Sequence, residues 1–155
     1  MIAVTGAAGA YGGYVVQFSK ADGLTVIADA SDKRWSNPWV PICRGDDFTQ
    51  RIRQHFPNGV DGLADGAVLK EKVIPAVKDG AAFTSVRGFE GVRTHSIRFS
   101  ATYVWDYTFE HDKLDRLRQF VDEGKITLRV AAPYKPEGHS RLEARGTRGR
   151  IVITF

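Results

Sequence analysis

Ile2-Ala3-Val4-Thr5-Gly6-Ala7-Ala8-Gly9-Ala10-Tyr11-Gly12-Gly13 is the stretch on which the fold turns. Its first residues are apolar or β-branched and stop abruptly at a glycine, as a short strand buried on both faces does. Beyond the glycines, Val15, Phe18 and Ala21 recur at near-helical spacing until Asp22-Gly23 ends the run. Leu24 to Ala28 then has the β-branched centre of a second buried strand. Strand, helix and strand in succession make a βαβ unit. The small residues at its first turn let the backbone come close to a pyrophosphate, whose charge meets free N–H groups and the positive helix end.

The alternation continues along the chain. Phe48, Ile52 and Phe56 share one helix face, and Pro57-Asn58-Gly59 separates them from a strand at Val60 to Ala64. Leu69, Val73 and Val77 mark a further helix that Pro75 should bend or shorten, leading to a strand at Ala81 to Val86. Ile97 to Val104 is another strand candidate, and Leu114, Leu117 and Val121 form a helical stripe ending at Gly124. Strands are expected at Ile126 to Val130 and Arg150 to Thr154. The pattern predicts an α/β fold: a doubly wound, mostly parallel sheet flanked by helices, in a single domain. Ser31 to Pro41, with two prolines and two tryptophans, reads instead as an irregular crossover.

Of the 155 residues, 43% are apolar and 26% charged, close to the globular average of roughly 45–50% and about 25%. No apolar run approaches the roughly 18 residues of a membrane-spanning helix, and Met1 leads into Ile2-Ala3-Val4 without a basic secretory segment. With a single cysteine, Cys43, no intramolecular disulfide is possible, and a cytoplasmic protein is expected. His55, His95, His111 and His139 are scattered, so no metal is expected. The net charge of +4 includes Arg141, Arg145, Arg148 and Arg150. Without interleaved aromatics these read as a solvated rim or a surface attracting an anionic cofactor, and no nucleic-acid partner is expected.

If Ala7, Gly9 and Gly12 are the three positions of a dinucleotide fingerprint, alanine replaces its first glycine. The end of the second strand selects the cofactor. Asp29 directed at the ribose would favour NAD, whereas Ala30 in that place would leave Ser31, Lys33 and Arg34 as a phosphate site. Counting from Gly12 with one gap aligns Ala30 with the selecting position, which favours NADP(H) over NAD(H).

Val4 to Ala10, the strand ending Val26-Ile27-Ala28, the segment Arg44-Gly45-Asp46-Asp47 and the ending Arg148-Gly149-Arg150-Ile151-Val152 resemble the zinc-independent quinone oxidoreductase branch of the medium-chain dehydrogenases/reductases. The likeness runs over most of the chain. It implies a Rossmann domain over residues 1–155, with the family's preceding GroES-like catalytic domain absent. It also implies that Ala8, Gly9, Ala10, Tyr11 and Gly12 hold the pyrophosphate, and Ala30, Ser31 and Lys33 the adenosine ribose and its phosphate. Ala67 and Val68, with Val86, Arg87 and Gly88, would flank the nicotinamide half. Tyr134 to His139 replaces a helical stretch of the family.

Tyr11, in place of a small aliphatic residue, and Arg87 are the candidate catalytic side chains. Tyr11 either packs against the first helix or offers a phenol to a ligand, and Tyr103, Asp106 and Tyr107 carry the same ambiguity. Asp61 and Asp65 read as turn and cap residues. Three functions follow: an NADPH-dependent reductase of an enone, quinone or carbonyl compound; a repurposed scaffold catalysing a non-redox cyclisation or isomerisation; or a non-catalytic, partner-dependent binding module. An exposed edge at 97–104 predicts a homodimer.

Overall fold

Strand β1 (Ile2–Thr5) runs through the glycine turn into helix α1 (Ala10–Ala21) and returns as β2 (Val26–Ala30), the βαβ unit expected from the sequence. The computed structural model describes residues 1–30, 40–43, 45–91, 95–135 and 150–154. Then follow β3 (Val40–Cys43), α2 (Phe48–His55), β4 (Val60–Asp65), a 3-10 helix (Lys70–Ala76), β5 (Val77–Ser85) and β6 (Arg98–Ala101). A second 3-10 turn (Val104–Tyr107), α3 (His111–Asp122), β7 (Val130–Tyr134) and β8 (Arg150–Ile153) complete the order.

Six strands form one parallel sheet in the order β3-β2-β1-β4-β5-β6. From β1 the chain winds outward through β2 to β3, then crosses to β4 on the other side of β1. The switch point therefore lies between β1 and β4. Strand alternation feeds two cores. Ala3, Ile27 and Leu63 pack with Phe48 and Ile52 of α2, while Val4, Val26, Ala28 and Ala64 pack with Val16 of α1. Adjacent residues of one strand thus bury themselves under helices on opposite faces, which is what makes the sheet doubly wound.

Several boundaries differ from the sequence expectation. The end of the expected irregular crossover is strand β3, an edge strand that accommodates Pro41. The helix predicted from Leu69, Val73 and Val77 is a 3-10 helix containing Pro75, and Val77 already belongs to β5. Strand β6 stops at Ala101, short of Val104. The strand expected at Ile126 to Val130 begins only at Val130 and pairs with β8 in a separate two-stranded parallel sheet. Helix α3 forms as predicted, but its Leu114 and Leu117 are 64% and 42% exposed, so the stripe is not a core face. Phe120 makes its contact instead, against Phe18 at 5.8 Å between ring centroids.

Candidate functional site

The turn leaving β1 is built by three glycines with different tasks. Gly6 takes a left-handed φ of +65°, and its carbonyl accepts the Gly9 N–H at 2.8 Å. The tight-turn role assigned from sequence to Ala7 therefore belongs to Gly6. A Cβ on Gly12 would lie on the Gly6 carbonyl oxygen and 2.8 Å from the Ala7 Cα, so glycine here lets α1 approach the turn. Gly9 is the N-cap and makes no side-chain cap bond, and the first turn of α1 has no acidic residue. The N–H groups of Ala10, Tyr11 and Gly12 thus lack intrahelical acceptors, and the first turn of α1 itself brings no carboxylate against an incoming anion. Ala7 donates its N–H to Asp29 Oδ1 at 2.7 Å, which turns this buried carboxylate toward the glycine turn.

Across the switch point, β4 ends in Asp65, which is fully buried. The Thr5 hydroxyl donates to its Oδ1 at 2.6 Å, and the N–H groups of Leu69 and Lys70 donate to Oδ1 and Oδ2 at 3.0 and 2.8 Å. The Ala67 N–H in turn donates to the Thr5 oxygen at 3.1 Å. This set of bonds holds the loop after β4 in a shape where Val68 and Lys70 have φ of +58° and +54°. A branched residue in that region is strained, and such strain persists only where surrounding bonds enforce it.

Tyr11 leans over the same point. Its ring lies so close to Gly66 that a Cβ there would come within 2.9 Å of its Cδ1, and it packs partly buried against the Val4 and Ala64 core. Its phenol shares a hydrogen bond with Thr84 of β5, whose hydroxyl lies 3.3 Å from that of Thr102. Burial pushes the phenol above its ordinary value, the Thr84 hydrogen bond opposes this, and the Asp65 charge adds to the rise. Of the two alternatives in the sequence, the packing one is seen, with the ring against α1 and the β1–β4 core and the phenol turned to Thr84.

The remaining expected residues fall along the carboxyl edge of the sheet. Ala8 is half-buried, Gly9 and Ala10 are exposed, and Gly12 is buried. Ala67 is exposed and Val68 half-buried after β4, while half-buried Val86 and exposed Arg87 and Gly88 follow β5. Ala30 closes β2, while Ser31, Lys33 and Arg34 lie outside the described residues, as do Arg141, Arg145 and Arg148. Asp61 is exposed and paired with Lys78 and the Met1 amino group, but it lies within β4 and not in the turn expected from the sequence, because the strand already starts at Val60. The sequence did not single out Thr5, Thr84 or Thr102, nor Arg129, which with Arg150 lines a cleft beside α1. Each becomes meaningful only when distant strands are brought together.

No family model matches the chain, and no curated protein matches it. Solved structures do share its fold. The chain is similar to the CurF ER cyclopropanase from the curacin A biosynthetic pathway, at 20% identity and a TM-score of 0.78. It is similar to a quinone oxidoreductase of Pseudomonas syringae pv. Tomato DC3000 (17%, 0.76) and to mycobacterial Rv1454c complexed with NADPH (18%, 0.77). Each likeness covers 99% of this chain and 53%, 56% and 56% of the respective solved chain, so the protein spans about half their length. The resemblance drawn from the sequence is thus met at the level of the fold.

Proposed function

We propose that this chain binds NADPH as an oxidoreductase of the quinone reductase type, with an enone, a quinone or a related carbonyl compound as hydride acceptor. The observation that carries this is the glycine turn at the switch point, where Gly6, Gly9 and Gly12 admit a diphosphate to the N–H groups of α1. NADPH, when bound, supplies the hydride. The backbone of Ala8 to Gly12 holds the diphosphate, and Ala30, Ser31 and Lys33 the adenosine ribose with its phosphate. Ala67, Val68, Val86, Arg87 and Gly88 flank the nicotinamide half. NADP(H) over NAD(H) is supported by Asp29, whose carboxylate is buried against the Ala7 N–H instead of being presented to a ribose. Tyr11, whose phenol carries its proton at neutral pH, is the candidate proton donor, and Arg87 stands exposed at the exit of β5 to attract an electron-rich oxygen.

Gly9→Val tests the assignment, because Gly9 is exposed and a Cβ there meets only the Gly6 oxygen at 3.1 Å. The variant should fold, and a nicotinamide fluorescence titration should lose the micromolar NADPH binding expected of the parent. Undiminished binding by the variant defeats the assignment. A second reading, a non-redox cyclisation on the same scaffold, is favoured by the likeness to the CurF ER cyclopropanase. It predicts that turnover of an acceptor consumes no NADPH.

The proposal includes a cytoplasmic homodimer joined along β6, the outer strand of the sheet. The Thr102 N–H bonds inward to Ser85, so by strand alternation the Ala101 N–H faces the open edge. Ala101→Pro should therefore halve the particle mass seen by light scattering. A parent mass equal to that of one chain at every concentration refutes the dimer.

A further inference from the structure

Tyr11 is only the second residue of α1, yet its side chain reaches two strands across the sheet. The ring lies over Gly66, the first residue after β4, and the phenol is hydrogen-bonded to Thr84 of β5. A dinucleotide laid across a doubly wound sheet places one nucleoside on each side of the switch point. With the adenosine end beside Ala30 at the close of β2, the other end must pass over β4 and β5. Tyr11 stands in that path.

The surroundings of the ring decide what can give way. Gly66 is not among the glycines with a left-handed φ, so its backbone does not call for glycine. A Cβ there would come within 2.9 Å of Tyr11 Cδ1 and 2.8 Å of the Thr5 carbonyl oxygen, so the missing side chain is what lets the ring lie down. Beneath it the two turns touch backbone to backbone, since a Cβ on Gly6 would be 2.9 Å from the Gly66 carbonyl carbon. The loop after β4 is fixed by the bonds of Thr5, Leu69 and Lys70 to buried Asp65. Floor and wall are therefore rigid. What can move is the Tyr11 side chain, tethered to β5 by one phenol bond and standing next to exposed Ala10.

We propose that Tyr11 is a latch on the nicotinamide half of the site: with its phenol on Thr84 the ring fills the crevice over β4 and β5, and the nicotinamide enters only when the ring swings out. This rests on the NADPH reading above and names the side chain that decides whether the nicotinamide end is held. Swinging out also frees the phenol from Thr84 for the oxygen of an acceptor. A ligand that needs a minor open form binds more weakly in proportion to the fraction of chain in that form. Minor forms of this kind make up about a tenth of the population or less, so roughly tenfold in apparent NADPH affinity is at stake.

Calorimetric titration of the full chain with NADPH and with 2′-phospho-ADP-ribose, which lacks only the nicotinamide, tests the latch. The parent should bind the two within a few-fold of one another. Tyr11→Ala should bind NADPH roughly tenfold more tightly than the parent does and leave 2′-phospho-ADP-ribose unchanged. Thr84→Val, which removes the tether and keeps the ring, should shift NADPH in the same direction, whereas Thr84→Ser, which keeps the hydroxyl, should bind as the parent does. Variants that bind NADPH no more tightly than the parent overturn the latch and leave the NADPH assignment standing. An equal gain for both ligands also overturns it, by placing the ring against the diphosphate. Should the parent bind 2′-phospho-ADP-ribose but not NADPH, and Tyr11→Ala bind both, the latch stands and the parent is no NADPH oxidoreductase. Binding of neither ligand by parent or variants overturns both readings.

Discussion

Gly12 and Gly13 are neighbours in one helix, yet alanine at the two positions should move stability in opposite directions. At Gly12 the new methyl would overlie the Gly6 carbonyl oxygen and lie 2.7 Å from the Gly6 carbonyl carbon and 2.8 Å from the Ala7 Cα. All three are backbone atoms, and the turn that carries them is anchored by the Ala7 N–H on buried Asp29. Relief requires α1 to move off the turn and loosen Val16 from Val4 and Ala28. Overpacking of this kind costs about 1–3 kcal/mol, and backbone contacts this short put Gly12→Ala near the top of that range. Subtracting a helix-propensity gain of about 1 kcal/mol leaves a net loss of about 2 kcal/mol. At Gly13 the same methyl meets one oxygen at 3.5 Å, so the propensity gain of about 0.5–1 kcal/mol survives. For a domain of this size each kcal/mol shifts the melting temperature by about 2–4 °C. Gly12→Ala should therefore melt about 4–8 °C below the parent and Gly13→Ala slightly above it, as read by far-ultraviolet circular dichroism and checked by urea midpoints. A Gly12→Ala protein as stable as the parent, or a Gly13→Ala protein equally damaged, refutes the close approach of α1 to the turn.

Asp65→Ala should be among the most damaging changes in the sheet. It strands the buried Thr5 hydroxyl and the N–H groups of Leu69 and Lys70, at a cost on the order of 3 kcal/mol measured by urea unfolding; a loss below 1 kcal/mol would show that the loop is held by something else. Tyr11 makes an alkaline prediction. Burial raises its phenol above 10.0, so the folded state keeps a proton that the unfolded chain releases. Its contribution is complete below that value and is lost as pH rises from 10.0 through the higher folded value. Tyr11→Phe should accordingly flatten the fall in urea midpoint above pH 10.0, and an unchanged slope would place the phenol in water.

What was legible in the sequence is what neighbours in the chain decide between themselves. The β1 strand, its glycine turn and α1 are legible because an apolar run, small residues and a 3.6-residue period follow one another without interruption. Strand β3 is not, since Pro41 argues against a strand in any position except an edge, and edge position follows from the sheet order alone. The stripe on α3 shows the converse error. Its period correctly gives a helix, but period says nothing about what covers the apolar face, and Leu114 and Leu117 stay exposed.

The site divides in the same way. Gly9 and Gly12 announce themselves by spacing, whereas the bond of Asp29 to the Ala7 N–H, 22 residues back in the chain, does not. The lock of Thr5 on Asp65 spans 60 residues, and the pairing of Gln17 with Thr127 spans 110. No local pattern encodes either. Each is a polar group whose partner is delivered by the winding of the sheet, so the side chains that complete a switch-point site are those a linear reading is least able to find. For this chain that places the informative mutations at the seams between elements: Gly12 against Gly6, and Tyr11 against Gly66.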